Sequence, residues 1–181
     1  MYVVSGRLKG KNIKIPPNVR PTNFRIKKIM LDVLRPVIKD TMVLDLFAGS
    51  GNLGIESLST GARFCYFVDI KKRYSQIIER NLSTLGIRNL AQVLTKDAFK
   101  SIKDFYHKGV KFDIVFADPP YYKDYALKTL KYIDDYDIVK NSGFLVLQVF
   151  LKDKFITKLR NFEFLLHKRA GQDLILFFKH L

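Results

Sequence analysis

A chain of 181 residues, 48% hydrophobic and 13% aromatic, is long enough to bury one core and too short for two ordinary domains. Its 32 Lys and Arg against 17 Asp and Glu leave a net charge of +15, spread through structured-looking segments; this favours a polyanionic partner on a folded surface and argues against disorder. A single cysteine, Cys65, excludes an intramolecular disulfide, three histidines without ligand spacing leave a metal site unsupported, and no apolar run nears the roughly 18–20 residues of a membrane span, so the cytoplasm is the expected compartment.

From the N-terminus, residues 2–4 and 12–15 are expected to form short strands joined by a basic, glycine-containing turn at 6–10. They make a β-hairpin appendage over residues 1–19 of a single domain spanning 1–181. Pro16 and Pro17 close it. After Pro21, the helical spacing of Ile26, Ile29, Met30, Val33 and Leu34 predicts a helix that stops near Pro36 and covers a sheet edge. Strands and helices then alternate, with strands at 42–47, 64–68, 91–94, 112–117 and 145–150 and helices at 52–60, 71–85 and around 100–106. Segments 162–167 and 174–179, around Gly171, predict a closing hairpin. The fold class is α/β: a doubly wound, mostly parallel sheet with an antiparallel C-terminal hairpin and a short N-terminal β appendage.

Two segments carry chemistry. Asp45, Phe47, Ala48, Gly49 and Gly51 lie on a compact turn after a buried strand and before a helix, where ligands sit in open α/β sheets. Asp69 follows the first glycine by 20 residues, at the end of the next strand, where a carboxylate can hold both hydroxyls of a ribose; Ile70 is beside it. Gly49, Gly51 and Gly54 also match the dinucleotide fingerprint, so a nicotinamide cofactor is one reading. Asp45 favours another, because an acid just before the turn suits a ligand with a cationic end, such as S-adenosylmethionine, and suits a pyrophosphate poorly. The bland alternative is a tight βα turn with Asp69 capping a helix.

The second segment, Asp118-Pro119-Pro120-Tyr121, follows another strand and is expected to face the same crevice. Two prolines fix the backbone, and the Asp118 carboxylate and Pro119 carbonyl can accept both hydrogens of an exocyclic amine, while Tyr121 offers a ring for a planar base. Its bland alternative is a rigid loop with Asp118 as a cap and Tyr121 as a lid. Asp97, with Ala98 after it, is expected either to accept from an adenine amine or to cap a helix.

These residues, with Val4 to Gly10, Arg20-Pro21-Thr22 and Asp45 to Glu56, resemble the class I S-adenosylmethionine-dependent methyltransferases. Within that class the whole chain resembles the bacterial family that methylates the N2 amine of one guanine in 16S ribosomal RNA. The resemblance implies that residues 45–51 line the methionine end of the cofactor, Asp69 binds its ribose, Asp97 and Ala98 flank its adenine, and residues 118–121 hold the target base. It implies 16S rRNA as partner, in a small-subunit assembly intermediate, with no obligate protein partner. Two residues depart from the family pattern: Phe24, where an acid usually precedes the arginine, and Gln148, where a glutamate is common. Neither is expected to touch the transfer centre.

Arg7, Lys9, Lys11, Lys14, Arg20 and Arg25 concentrate positive charge near the N-terminus and are the candidate phosphate contacts; singly, each is as readily a solvated surface group. Three alternatives stay open: an adenine N6 methyltransferase on RNA or DNA, a nicotinamide-dependent oxidoreductase, and a non-catalytic RNA-binding assembly factor.

Overall fold

The computed structural model describes residues 1–16, 24–121 and 124–181. One sheet holds β1 (Met42–Leu46), β2 (Phe64–Asp69), β3 (Ala91–Thr95), β4 (Phe112–Ala117), β5 (Val139–Phe150), β6 (Phe162–Ala170) and β7 (Asp173–His180) in the order β3-β2-β1-β4-β5-β7-β6. Neighbours among the first five are parallel, whereas β7 runs antiparallel to β5 and to β6. The helices are α1 (Phe24–Leu34), α2 (Asn52–Thr60), α3 (Lys72–Thr84), α4 (Ala98–His107) and α5 (Tyr125–Tyr136). None of these helices is long and apolar enough to cross a membrane.

The strand period of two sorts the core into two layers. Val43, Cys65, Phe67, Ile114 and Phe116 pack on one side with Met30 of α1, Leu53 of α2 and Ile78 of α3. Leu44, Val68, Val115 and Ala117 pack on the other with Ile102 of α4 and Leu130 and Ile133 of α5. The sheet is thus covered on both faces, and only its strand ends open to a ligand.

The structure differs from the sequence expectations in two places. The expected N-terminal strands are reduced to one antiparallel bridge, Tyr2 with Asn12, and residues Gly6–Leu8 form a 3-10 turn. Around that bridge the Val3 amide donates to the Lys11 carbonyl at 2.9 Å and the Ile13 amide to the Met1 carbonyl at 2.6 Å, and just beyond it the amides of Val4 and Ser5 donate to the Glu56 carboxylate of α2, at 2.8 and 3.3 Å. Helix α5 and the first half of β5 form where no element is expected. Ala126, Leu130 and Ile133 give α5 its buried stripe, but lysines, tyrosines and aspartates crowd the rest of the helix and dilute the signal.

Helix α2 lies close enough to the sheet to require a glycine at position 54. A Cβ there would stand 2.2 Å from the Phe67 ring and 2.6 Å from Cys65 Sγ, both in the buried core. Gly54→Ala is therefore expected to cost about 1–3 kcal/mol through overpacking, read as a lower urea midpoint with an unchanged m-value. A midpoint equal to that of the wild type would mean that the helix slides away at no cost.

Candidate active site

At the end of β1 the chain reverses through backbone that side chains rarely adopt. Phe47 has φ +61°, Gly49 +56° and Gly51 +76°. Phe47 is the costly one, since an aromatic residue in the left-handed region is strained and such strain clusters at functional sites. Its ring is held edge-on by Phe99 and Tyr125, with centroids 6.1 and 6.4 Å away.

Two carboxylates hold the turn. Asp69, at the end of β2, accepts the Gly49 and Lys71 amides at 2.9 Å each, which ties the turn to its neighbouring strand. Asp45 points to the face that carries α2 and accepts the Gly54 amide at 2.9 Å. It supplies a cap that Gly51, at the N-cap position without a side chain, does not. Asp45 is buried, and burial pushes its carboxyl well above the usual range; the negative charges of Asp118 and Asp69 add to the effect, while the Gly54 amide opposes it.

Asp97 caps α4, accepting the Lys100 amide at 2.9 Å, as one of its two expected roles required. On the other flank, the Asp118 amide reaches the Leu46 carbonyl at 3.5 Å, bringing the segment after β4 next to the turn after β1. Tyr121 stacks on Phe150, with ring centroids 5.5 Å apart. Its hydroxyl donates to Asp173 Oδ1 at 2.6 Å and accepts from the Gln148 amide nitrogen at 3.0 Å. Burial, followed by the hydrogen bond to Asp173, holds the phenol proton far above its ordinary range, so Tyr121 remains a neutral hydroxyl.

A cavity of about 440 Å³ joins these groups. Asp45, Phe47, Ala48, Gly49, Asp69, Ile70, Asp97, Ala98, Asp118, Pro119, Pro120 and Tyr121 all line it. Gly51 does not; it lies behind the wall, where a Cβ would meet Ile78 and Phe67 at 3.1–3.2 Å. Arg7, Lys9, Lys11, Lys14 and Arg25 are exposed and lie outside the cavity. Lys9 borders a second cavity, of about 730 Å³, between the N-terminal segment and α1. Arg20, Pro21 and Thr22 fall outside the described residues.

The sequence reading missed Asn52, Lys71, Lys96, Tyr125, Gln148 and Asp173, which also line the cavity. Gln148 reverses an expectation: far from being remote, it bonds Tyr121 inside the crevice. The available signal was its place near the end of a buried strand, as for Asp45, Asp69 and Asp118.

The sheet order and the crevice at the strand ends define the class I S-adenosylmethionine-dependent methyltransferases. Residues 1–179 match the model of the family described as conserved hypothetical protein 95, and the chain belongs to that family. It is 30% identical over 172 residues to the Escherichia coli (strain K12) protein named ribosomal RNA small subunit methyltransferase D, covering 94% of this chain and 85% of that one. It is 32% identical over 158 residues to the protein of the same name from Buchnera aphidicola subsp. Acyrthosiphon pisum, covering 86% and 81%. The solved structure of the Escherichia coli protein yhhF superposes with a TM-score of 0.89 at 28% identity, covering 99% of this chain and 97% of that one.

The residues present fit the cofactor of this class. Asp45, Asp69 and Asp118 line the wall with carboxyl groups that can pair with a sulfonium and an ammonium. Asn52, buried in the same wall, has an amide nitrogen with no partner among the described residues, a donor suited to a carboxylate.

Proposed function

We propose that this protein transfers a methyl group from S-adenosylmethionine to the exocyclic N2 amine of a guanine in 16S ribosomal RNA, within a small-subunit assembly intermediate. The observation that carries the reading is that the turn after β1 and residues 118–121 after β4 line one cavity. The names of the relatives and the charge of +15 support RNA as the substrate.

S-adenosylmethionine, when bound, supplies an electrophilic methyl group on a positively charged sulfur. Asp45 takes the cationic end of the cofactor, Asp69 its ribose hydroxyls, and Asp97, Ala98 and Ile70 surround its adenine. Asp118 accepts one hydrogen of the target amine and the Pro119 carbonyl the other. An aromatic amine is a poor nucleophile because its lone pair is shared with the ring. Two acceptors, one for each hydrogen, stabilise a more tetrahedral nitrogen and point its lone pair at the methyl, a gain made mainly in the transition state. Asp118 need not be a strong base, since the methylated nitrogen becomes acidic and loses its proton readily. The exposed Arg7, Lys9, Lys11, Lys14 and Arg25, with the segment at Arg20, form the RNA-facing rim.

Product mapping tests the proposal. The protein is incubated with undermethylated small subunits and labelled cofactor, and the labelled nucleoside is identified after digestion. N2-methylguanosine is expected. N6-methyladenosine would select the adenine reaction, and no label at all would leave a non-catalytic RNA-binding factor.

Asp45 gives the cofactor site a pH signature. A carboxyl whose proton affinity rises on folding stabilises the fold below its unfolded value of about 3.9 and loses that contribution as pH climbs through its own, higher value. The free protein is thus expected to lose stability as pH rises across that window. Pairing with a cationic ligand reverses the shift, so cofactor binding there should release a proton, seen by calorimetry in buffers of different ionisation enthalpy. Asp45→Asn should abolish the release; the same release in that variant would assign the proton to another group.

A further inference from the structure

Gln148 is 3% exposed, two residues before the end of β5. In the parallel register Ala117 pairs with Leu147, so Asp118 and Gln148 emerge side by side from β4 and β5. In the antiparallel register Phe150 pairs with Asp173, which brings the start of β7 to the same crevice. Tyr121 Oη links the two, 2.6 Å from Asp173 Oδ1 and 3.0 Å from the Gln148 amide nitrogen.

This chain fixes which way the amide faces. The phenol proton goes to Asp173, so the phenol oxygen accepts from the Gln148 amide nitrogen. The group facing Tyr121 is therefore the NH2, and Oε1 is the opposite end. That Oε1 is buried in the cavity wall and has no hydrogen-bond partner among the described residues. A buried acceptor without a donor is a penalty that a donor-bearing ligand relieves.

Position along the sheet decides which ligand atom that is. Asp97, Asp69 and the glycine turn stand at the ends of β3, β2 and β1; Asp118 stands at the end of β4, and Gln148 one strand further, about 4.8 Å on. A base whose amine is held at Asp118 presents to Gln148 a ring atom next to that amine. In guanine the amine is flanked by N1, which carries a hydrogen, and by N3, which carries a lone pair, and only the N1 edge satisfies an acceptor such as Oε1. In adenine, the ring nitrogen next to the N6 amine carries only a lone pair.

We propose that Gln148 Oε1, locked in orientation by Tyr121 and Asp173, accepts the N1–H of the target guanine and so selects guanine over adenine. This deepens the proposed function and rests on the reading of Asp118 as the amine acceptor. A second lone pair opposite Oε1 would leave two acceptors face to face, which is the repulsive half of a specificity device.

The test replaces the target guanine, located by product mapping, with 2-aminopurine in semi-synthetic 16S RNA reconstituted into subunits. That base keeps the amine and lacks N1–H and O6. The wild-type protein is expected to lose about 10–100-fold in kcat/KM on it. Gln148→Leu, of similar volume, should lose about tenfold on guanine and bring the ratio of the two bases close to one, with cofactor affinity unchanged by calorimetry. Should that variant fail to bind cofactor, Gln148→Met serves in its place. Equal rates on both bases with the wild-type protein, or an undiminished ratio in the variant, would overturn the proposal and leave the amine reading standing. No methylation of guanine by the wild-type protein would instead remove the wider function, and this proposal with it.

Discussion

Asp118→Ala is expected to lower kcat for methyl transfer by about 10²–10³-fold while cofactor affinity stays within a few-fold of wild type. Removing one preorganised hydrogen-bonding group from a transition state costs about that much in other enzymes, and the group lost here faces charge that develops on the amine nitrogen. Cofactor affinity is spared for a specific reason. The Asp118 charge raises the proton affinity of Asp45, so its removal makes Asp45 easier to ionise and, if anything, better suited to a cation. Asp118→Asn keeps one acceptor oxygen and should fall between the two. Single-turnover methylation and cofactor titration on the same preparation check this pair of outcomes. Near-normal turnover in the alanine variant would show that the amine is held elsewhere.

The second large effect is on stability. Lys27 and Glu56 form an ion pair with both side chains fully buried, Nζ to Oε1 at 2.8 Å. Lys27 also donates to the Tyr2 carbonyl at 3.1 Å and to Asn52 Oδ1 at 2.9 Å. Glu56 in turn accepts the Val4 and Ser5 amides. Lys27→Met leaves a buried carboxylate with neutral donors only, a change expected to cost about 3–5 kcal/mol. At about 2–4 °C per kcal/mol for a chain of this size, the melting temperature falls by roughly 6–20 °C. The double variant Lys27→Met, Glu56→Leu should recover much of the loss, because an apolar pair removes both desolvation penalties. A single variant within about 1 kcal/mol of wild type in calorimetry would mean that water reaches the pair.

That ion pair also marks where sequence stops being legible. The central strands β1, β2 and β4 and helices α3 and α4 follow from their residue pattern, because each of these strands is a mostly apolar run and each of these helices has one apolar stripe. Asp45, Asp69 and Asp118 are legible because each stands within one residue of a strand end, Asp45 four residues before Gly49, Asp69 twenty after it and Asp118 next to Pro119. Lys27 shares the buried face of α1 with Met30, Leu31 and Leu34, and nothing local announces the glutamate, 29 residues away, that pairs with it there. Gln148 fails for a related reason: its neighbours are set by the β4–β5 and β5–β7 registers, which only the assembled sheet defines. The N-terminal pairing forms around Tyr2 and Asn12 but is shorter than expected, and the amides of Val4 and Ser5 just beyond it go to a carboxylate on α2 that sequence does not place there.

Running against the other strands, β7 delivers its first residue to the crevice rather than its last, straight out of the two-residue bend at Gly171 and Gln172. On the proposed reading the terminal hairpin is thereby a module on the nucleobase half of the groove, separated by two strands from the turn assigned to the sulfonium. Changes in that bend are free to retune which nucleotide is accepted while the donor of the methyl is held as before.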